Sequence, residues 1–148
     1  MTRDLEVVVV SETVNKIREE RMTLCYKMLL ILGMAQFADE NGCVPIRRLA
    51  REFDRFFTHR TKSGKTEENP NIIASERLRV RTLSDWEKTI CEQPLQFLHP
   101  ELFLDDGSQV QWTPRIWSQW DSNFKAQVLL TAFDRLIQHF ERNVPGGY

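Results

Sequence analysis

Ser63-Gly64-Lys65-Thr66 carries the ending of a phosphate-binding loop, in which backbone N–H groups and a lysine cradle the phosphates of a nucleotide. The first glycine of that motif falls on His59 here, and Phe56 and Phe57 just before it belong to a helical pattern instead of the strand the loop must follow. Nucleotide binding is therefore not expected. His59, His99 and His139 are spread evenly and far apart, and none stands one helical turn from another histidine, cysteine or carboxylate in a metal-ligand spacing. Cys25, Cys43 and Cys91 form no C-x-x-C pair, and Cys25 and Cys91 fall on apolar helical faces, where thiols are commonly buried and inert. No G-x-S-x-G elbow is present. The sequence thus predicts no catalytic residue, no metal site and no cofactor, and points to a binding module instead of an enzyme.

Arginine is the residue type whose spacing does suggest chemistry. Arg47, Arg48, Arg51 and Arg55 stand in a helical stretch opened by Pro45, and Ile46, Leu49, Ala50, Phe53, Phe56 and Phe57 fall on an opposing arc of about 120°. Guanidinium groups grip phosphate bidentately. Arg47, Arg51 and Arg55 rise along one side at intervals of about 6 Å, a ladder that can track a nucleic-acid backbone. Arg60, Lys62, Lys65, Arg77, Arg79 and Arg81 follow closely and extend the basic set. Glu52, one turn after Arg48, and Asp54, beside Arg47, temper this face and leave open a simpler reading as a solvated helix surface.

The wider charge balance places any such attraction locally. The chain has 148 residues with 20 Lys and Arg against 21 Asp and Glu, so its formal charge is −1 and no global field draws it to polyanions. Residues 44–85 hold 10 basic and 6 acidic side chains and lie between two acidic flanks.

The elements that must position these residues read as follows. Leu5 to Val10, LEVVVV, is a β-branched run expected to form a short N-terminal strand. From Ser11 the apolar period changes to three and four through Val14, Ile17, Leu24, Cys25, Met28, Leu29 and Leu32, giving one long helix or two, stopped by Asn41-Gly42. After a short extended segment at Gly42 to Val44 comes the arginine helix. Residues 61–76 are polar, contain Gly64 and Pro70, and are expected to form a mobile loop. Ser84 to Glu87 fits a capping box for a helix ending before Pro94. Leu102 to Leu104 and Gln109 to Trp112 flank Asp105-Asp106-Gly107-Ser108 as a β-hairpin. Thr113-Pro114 starts another helix, and Phe124, Val128, Leu129, Ala132, Phe133, Leu136, Ile137 and Phe140 mark a closing one. Leu29, Leu32, Phe53, Phe57, Phe133 and Ile137 are expected to share one core, and Trp112, Trp117 and Trp120 to close it beneath a small sheet.

This order, from a helix through a short strand, the arginine helix, a capped helix and a hairpin to a closing helix, resembles a winged helix-turn-helix domain over about residues 22–140. It is also loosely similar to accessory winged-helix segments of bacterial helicases and nucleases in phage-defence and mobile-element systems. The expected fold is therefore mainly α with a small β-hairpin, in one domain over 1–148. Within it, 1–21 is a strand and helical lead-in and 22–143 the winged-helix-like core. The resemblance implies nucleic-acid binding without catalysis, as an accessory subunit of a larger assembly. The capped helix departs from the family pattern, because the helix that by order should enter the major groove carries Asp85, Glu87 and Glu92 against Lys88 alone. A second reading therefore stands beside the first: a protein-interaction adaptor that docks an acidic partner on the arginine face.

The longest apolar stretch, Met28 to Ala35, is far shorter than the roughly 20 residues that span a bilayer, and the N-terminus lacks a signal-peptide layout. With the unpaired cysteine pattern, this predicts a cytoplasmic protein without a membrane partner.

Overall fold

The computed structural model describes residues 2–21, 25–62 and 81–142, with side chains at 8–21, 25–60 and 81–141. Its elements run α1 (Thr2–Glu19), α2 (Tyr26–Phe37), β1 (Cys43–Pro45), α3 (Ile46–Lys62), α4 (Leu83–Glu92), α5 (Pro94–Leu98), β2 (Phe103–Asp105), β3 (Gln109–Trp112), α6 (Pro114–Trp117) and α7 (Ser122–Arg142). The fold is mainly helical with one small antiparallel sheet of order β1-β3-β2. Of the expected loop, residues 61 and 62 instead continue α3, whereas 63–76 lie outside the described residues.

The run Leu5 to Val10 is helical, not the expected strand. Helix α1 lies against α7 and buries Val9, Thr13, Val14 and Ile17, a spacing that places one face inward, so tertiary burial overrides the β preference of the valines. Its C-terminal end is held by Arg135 of α7, whose Nη1 donates to the carbonyls of Ile17 at 2.9 Å, Arg18 at 2.8 Å and Glu20 at 2.7 Å. These are carbonyls that a helix end leaves without an internal donor.

Helix α2 is the central element. It buries Tyr26, Met28, Leu30, Ile31, Gly33, Met34 and Ala35 around much of its circumference, as a helix surrounded by others must, and it packs on α7, α5 and α3.

The strand slot beside the hairpin is taken by β1. Val44 pairs with Val110 and Phe103 with Trp112, and all four side chains are buried. Pro45 is the last residue of β1, not the first of α3, and sits on an edge strand where its missing N–H breaks no ladder. The N–H of Ile46 then donates to the Ser108 carbonyl at 2.9 Å, tying the start of α3 to the hairpin tip. At that tip the Asp106 carboxylate accepts the backbone N–H groups of Ser108 and Gln109, each at 2.9 Å. Those bonds, with one from the Ser108 hydroxyl, hold the Asp106 carboxyl below the usual carboxylate range.

Trp112 is fully buried, and its Nε1 donates to the Met34 carbonyl at 3.0 Å. Trp120 packs between Trp112, Trp117 and Phe124, with ring centroids 4.8, 5.4 and 5.0 Å away. The tryptophans therefore close the core beneath the sheet, as expected from their burial habits.

Helix α4 is capped two residues earlier than the sequence suggested. Thr82 accepts the Asp85 N–H, and the Asp85 carboxylate accepts the Thr82 N–H, so aspartate takes the third helical position that glutamate often fills. Helix α5 was not anticipated, although Pro94 opens it at a position where proline loses no helical bond.

Phe133 and Ile137 do not join the core: they are 54% and 41% exposed. Helix α7 instead buries Phe124, Val128, Ala132 and Leu136, a stripe centred roughly 140° around the helix from Phe133 and Ile137 at about 100° per residue. Leu29 and Leu32 reach the core only partly, while Phe53 and Phe57 are buried in it as expected.

Candidate functional site

Helix α3 owes its phase to Leu49, Ala50, Phe53 and Phe57, all buried. Phe57 stacks on Trp86 of α4 with centroids 5.0 Å apart and planes within 5°, and Tyr26 meets Phe57 edge-on at 5.8 Å. With that side fixed in the core, Arg47, Arg48, Arg51 and Arg55 are all exposed. The arginine face thus exists as a surface, and its members differ in what they touch.

Arg47 reaches α4, where its Nη1 lies 3.1 Å from Glu87 Oε1. Glu52 sits between two arginines, 3.4 Å from Arg48 Nε and 3.6 Å from Arg55 Nη1. Arg48 also lies over the Phe37 ring at 4.2 Å, which turns it toward α2 and away from the ladder. Arg55 remains 75% exposed at its side chain despite its contact with Glu52, so solvent screens that pair strongly. Arg51 and Arg55 rim an open depression together with Asp54, Thr58 and His59. Thr58 and His59 were missed by the sequence reading, although their position one turn beyond Asp54 and Arg55 was a sufficient signal.

The remaining predicted residues are not gathered on this face. Arg60 lies one turn past Phe56 and packs its guanidinium 3.6 Å from the centroid of Phe140, toward α7. Arg81 covers the Trp86 ring at 4.4 Å and donates to the Tyr26 hydroxyl at 3.2 Å, a packing role at the start of α4. Lys62 closes α3, and its side chain lies outside the described residues together with Lys65, Arg77 and Arg79. The structure therefore brings together Arg47, Arg51 and Arg55, with Arg48 at the edge.

The acidic helix α4 looks different once its contacts are known. Asp85 belongs to the capping box, and Glu87 is occupied by Arg47, which leaves Lys88 and Glu92 as its exposed charges. Two of its three carboxylates thus have structural partners.

Among the described residues no three of His, Cys, Asp and Glu converge on a point that could hold a metal ion. Cys25 is buried, whereas Cys91 is exposed, contrary to its expected place on an apolar face, because Trp86 and Ile90 form the inner side of α4. Desolvation, followed by the charges of Asp105, Glu87 and Glu92, pushes the Cys91 thiol up, and desolvation with Asp39 and Asp106 does the same for Cys43. Both shifts disfavour the thiolate that nucleophilic or metal chemistry requires. No helix among the described residues is long and apolar enough to cross a membrane.

The chain matches no protein-family model, no curated protein and no solved structure. The physical arrangement of α3 and its neighbours is accordingly what bears on function.

Proposed function

We propose that this chain is a winged helix-turn-helix protein that holds nucleic-acid backbone against the exposed side of α3. It does so without a catalytic step, as an accessory part of a larger assembly. The observation that carries the reading is the rise of Arg47, Arg51 and Arg55 along one exposed side of a helix whose opposite side is locked in the core. Topology supports it. The elements α2, β1, α3, α4, β2 and β3 follow the winged-helix order with the short α5 inserted between α4 and β2, and β1 pairs with β3 beside the β2–β3 wing. In that arrangement α3 is the helix that crosses the sugar-phosphate backbone, and α4 is the one that by order faces the groove. Backbone contact through α3, without base reading by the acid-rich α4, gives binding that is sequence-independent.

Its test is the affinity for random duplex and single-stranded DNA and RNA over a range of salt, with Arg47→Glu/Arg51→Glu/Arg55→Glu alongside. Each phosphate neutralised on duplex DNA contributes about −0.9 to the slope of log affinity against log salt, so three contacts give about −2.7. Competition from Glu87 for Arg47 pulls that value toward the two-contact figure of about −1.8. The triple variant is expected to fold and to lose binding at least tenfold. Equal binding by both proteins overturns the reading.

The Arg47–Glu87 contact favours a second reading, because it shows this face already accepting a carboxylate. On that reading an acidic protein docks there. The triple variant then loses a stoichiometric protein partner while neither form binds nucleic acid.

A further inference from the structure

Beside the arginine ladder the surface opens into an apolar groove of about 350 Å³ between α2, α3 and α7, within the size range of small-ligand sites. Leu29 and Leu32 of α2, Phe53 and Phe56 of α3, and Phe133 and Leu136 of α7 form most of its wall, with Phe37 at one end. Its rings are not equally available. Phe53 is buried, Phe56 is half-buried, and Phe37 lies under the Arg48 guanidinium at 4.2 Å. Among the described residues that leaves Phe133 as the open ring, 54% exposed and outside the core. Arg55 and His59 line this groove, and the same two residues line the depression that holds Arg51, Asp54 and Thr58. The groove therefore runs directly into the ladder.

The polar groups at this junction are mixed in sign. Glu52 lines the groove, but its Oε1 stands 3.4 Å from Arg48 Nε and 3.6 Å from Arg55 Nη1, so two guanidinium groups meet its charge. Around groove and depression together, Arg48, Arg51 and Arg55 stand against Glu52 and Asp54. The exposed Gln36 amide, which both donates and accepts, completes the polar edge of the groove. A nucleic-acid base needs an aromatic face and an edge that hydrogen-bonds, not a charge. Phe133 and Gln36 offer that pair beside two arginines that suit the adjoining phosphates.

At the other end of the ladder the surface opposes a duplex. Arg47 shares a depression with Glu87, Lys88 and Cys91 of α4 and with Gly107 and Ser108 of the hairpin tip. In the winged-helix mode a duplex lying on α3 turns its second strand toward this edge. The edge carries Asp85, Glu87, Glu92, Asp105 and Asp106 against Lys88 and Arg47, and Arg47 is already held by Glu87 at 3.1 Å. After desolvation, the charges of Asp105, Glu87 and Glu92 raise the Cys91 thiol, which places all three carboxylates around one point of the edge. A second phosphate backbone is repelled there. A single strand has none to place, and its unpaired bases are free to turn into a groove.

We infer that the nucleic acid held by α3 is single-stranded, with phosphates on Arg51 and Arg55 and one unpaired base seated in the α2–α3–α7 groove, stacked on Phe133 and hydrogen-bonded at its edge by Gln36. This rests on the reading of α3 given above and adds to it a site for the base and a class of strand.

The experiment titrates the full chain, by fluorescence anisotropy at one low salt concentration, with short labelled strands of random sequence. The probes are single-stranded DNA, single-stranded RNA, a DNA duplex of the same length, and an abasic strand with the same phosphates and no bases. A single strand of at least one sugar should bind about tenfold or more tightly than the duplex. Removing the bases should weaken it about fivefold or more, and this arm needs no variant. Phe133→Ala, at an exposed position, should keep the wild-type melting curve, lose a similar factor on the normal strand and lose nothing on the abasic one. That set of results supports the proposal. Equal affinity for normal and abasic strands overturns the base site, as does a Phe133→Ala protein that binds the normal strand like wild type. A duplex held as tightly as either single strand overturns the choice of strand. In each of these cases Arg47→Glu/Arg51→Glu/Arg55→Glu still abolishes binding if α3 is the contact face, so the earlier reading survives. A chain that binds none of the four probes removes that reading and this inference with it.

Discussion

In Gly42→Ala a side chain enters a position where φ is +78° and where the new Cβ would stand 2.7 Å from Cδ2 of Trp117, 3.0 Å from Cγ and 3.1 Å from Cε2. Two costs follow. A left-handed backbone costs a residue with a Cβ about 1 to 2 kcal/mol. The indole ring cannot simply swing aside, because its Nε1 donates to the Glu40 carbonyl at 3.2 Å and its face stacks on Trp120 at 5.4 Å. Overpacking of that kind costs about 1 to 3 kcal/mol. The smaller entropy of an unfolded chain with alanine returns about 0.4 to 1 kcal/mol. The net expectation is a loss of about 1 to 4.5 kcal/mol, read by urea unfolding with an unchanged m-value. Gly107 supplies the control, since its φ is +91° but nothing lies within 4 Å of a Cβ built there. Gly107→Ala should therefore lose about 1 kcal/mol from the backbone alone. The packing part should also vanish when Gly42→Ala is made in a Trp117→Leu background, as non-additivity between touching residues. Equal losses for Gly42→Ala and Gly107→Ala, within about 0.5 kcal/mol, would refute the placement of Trp117 over Gly42.

Two further outcomes follow from burial and charge. Phe53→Ala should destabilise by about 3 to 5 kcal/mol and Phe133→Ala by under about 1 kcal/mol in the same urea assay, because only the first empties a core site. Comparable losses at the two positions would show that the phase of α7 is wrong. Burial raises the Glu20 carboxyl, but hydrogen bonds and charges from Lys27 and Lys16 outweigh it and leave the group below the ordinary glutamate range. A depressed carboxylate stabilises the fold above its unfolded pKa, and that stabilisation is lost as pH falls through the folded value. Wild type should thus lose stability on acidification below the ordinary glutamate range, and Glu20→Gln should be about 1 to 2 kcal/mol weaker at neutral pH with a shallower acid limb. A parallel acid limb in the two proteins counts against the Lys16–Glu20–Lys27 network.

Much of the fold was legible because its signals are local. The Asp106-Gly107 turn, Thr113-Pro114 before α6 and the apolar arc of α3 each specify their element within a few residues, and the structure has all three. What escaped depends on distant neighbours. Leu5 to Val10 reads as a strand on its own and becomes helical where α7 offers α1 a face to cover. Phe133 and Ile137 share a 3.6-residue period with Leu136 and Phe140, so periodicity alone merges two stripes that α2 and α1 separate by covering only one of them. Capping is ambiguous in the same way, because Thr82 and Ser84 both precede a carboxylate at the right spacing, and geometry alone selects Thr82.

The arginine face shows the limit of local reading more sharply. Helix phase put Arg47, Arg51 and Arg55 outward, and phase is a property of adjacent turns that the sequence contains in full. Whether an outward arginine is available is a different question, since Glu87 lies 40 residues from Arg47 and on another helix. The same contact explains why α4 tolerates its acidity: Glu87 neutralises part of the α3 face, and Asp85 serves the cap. Charges that look opposed when each helix is read alone therefore form one surface, in which Arg51 and Arg55 stay exposed and Arg47 is held by Glu87 of α4; under the proposed function a polyanion would share Arg47 with it. An ion pair half-open to solvent is worth little, so such sharing costs a ligand little to undo. That places the decisive part of the candidate site on the middle turns of α3, at Arg51 and Arg55, instead of along the whole basic segment of residues 44–85.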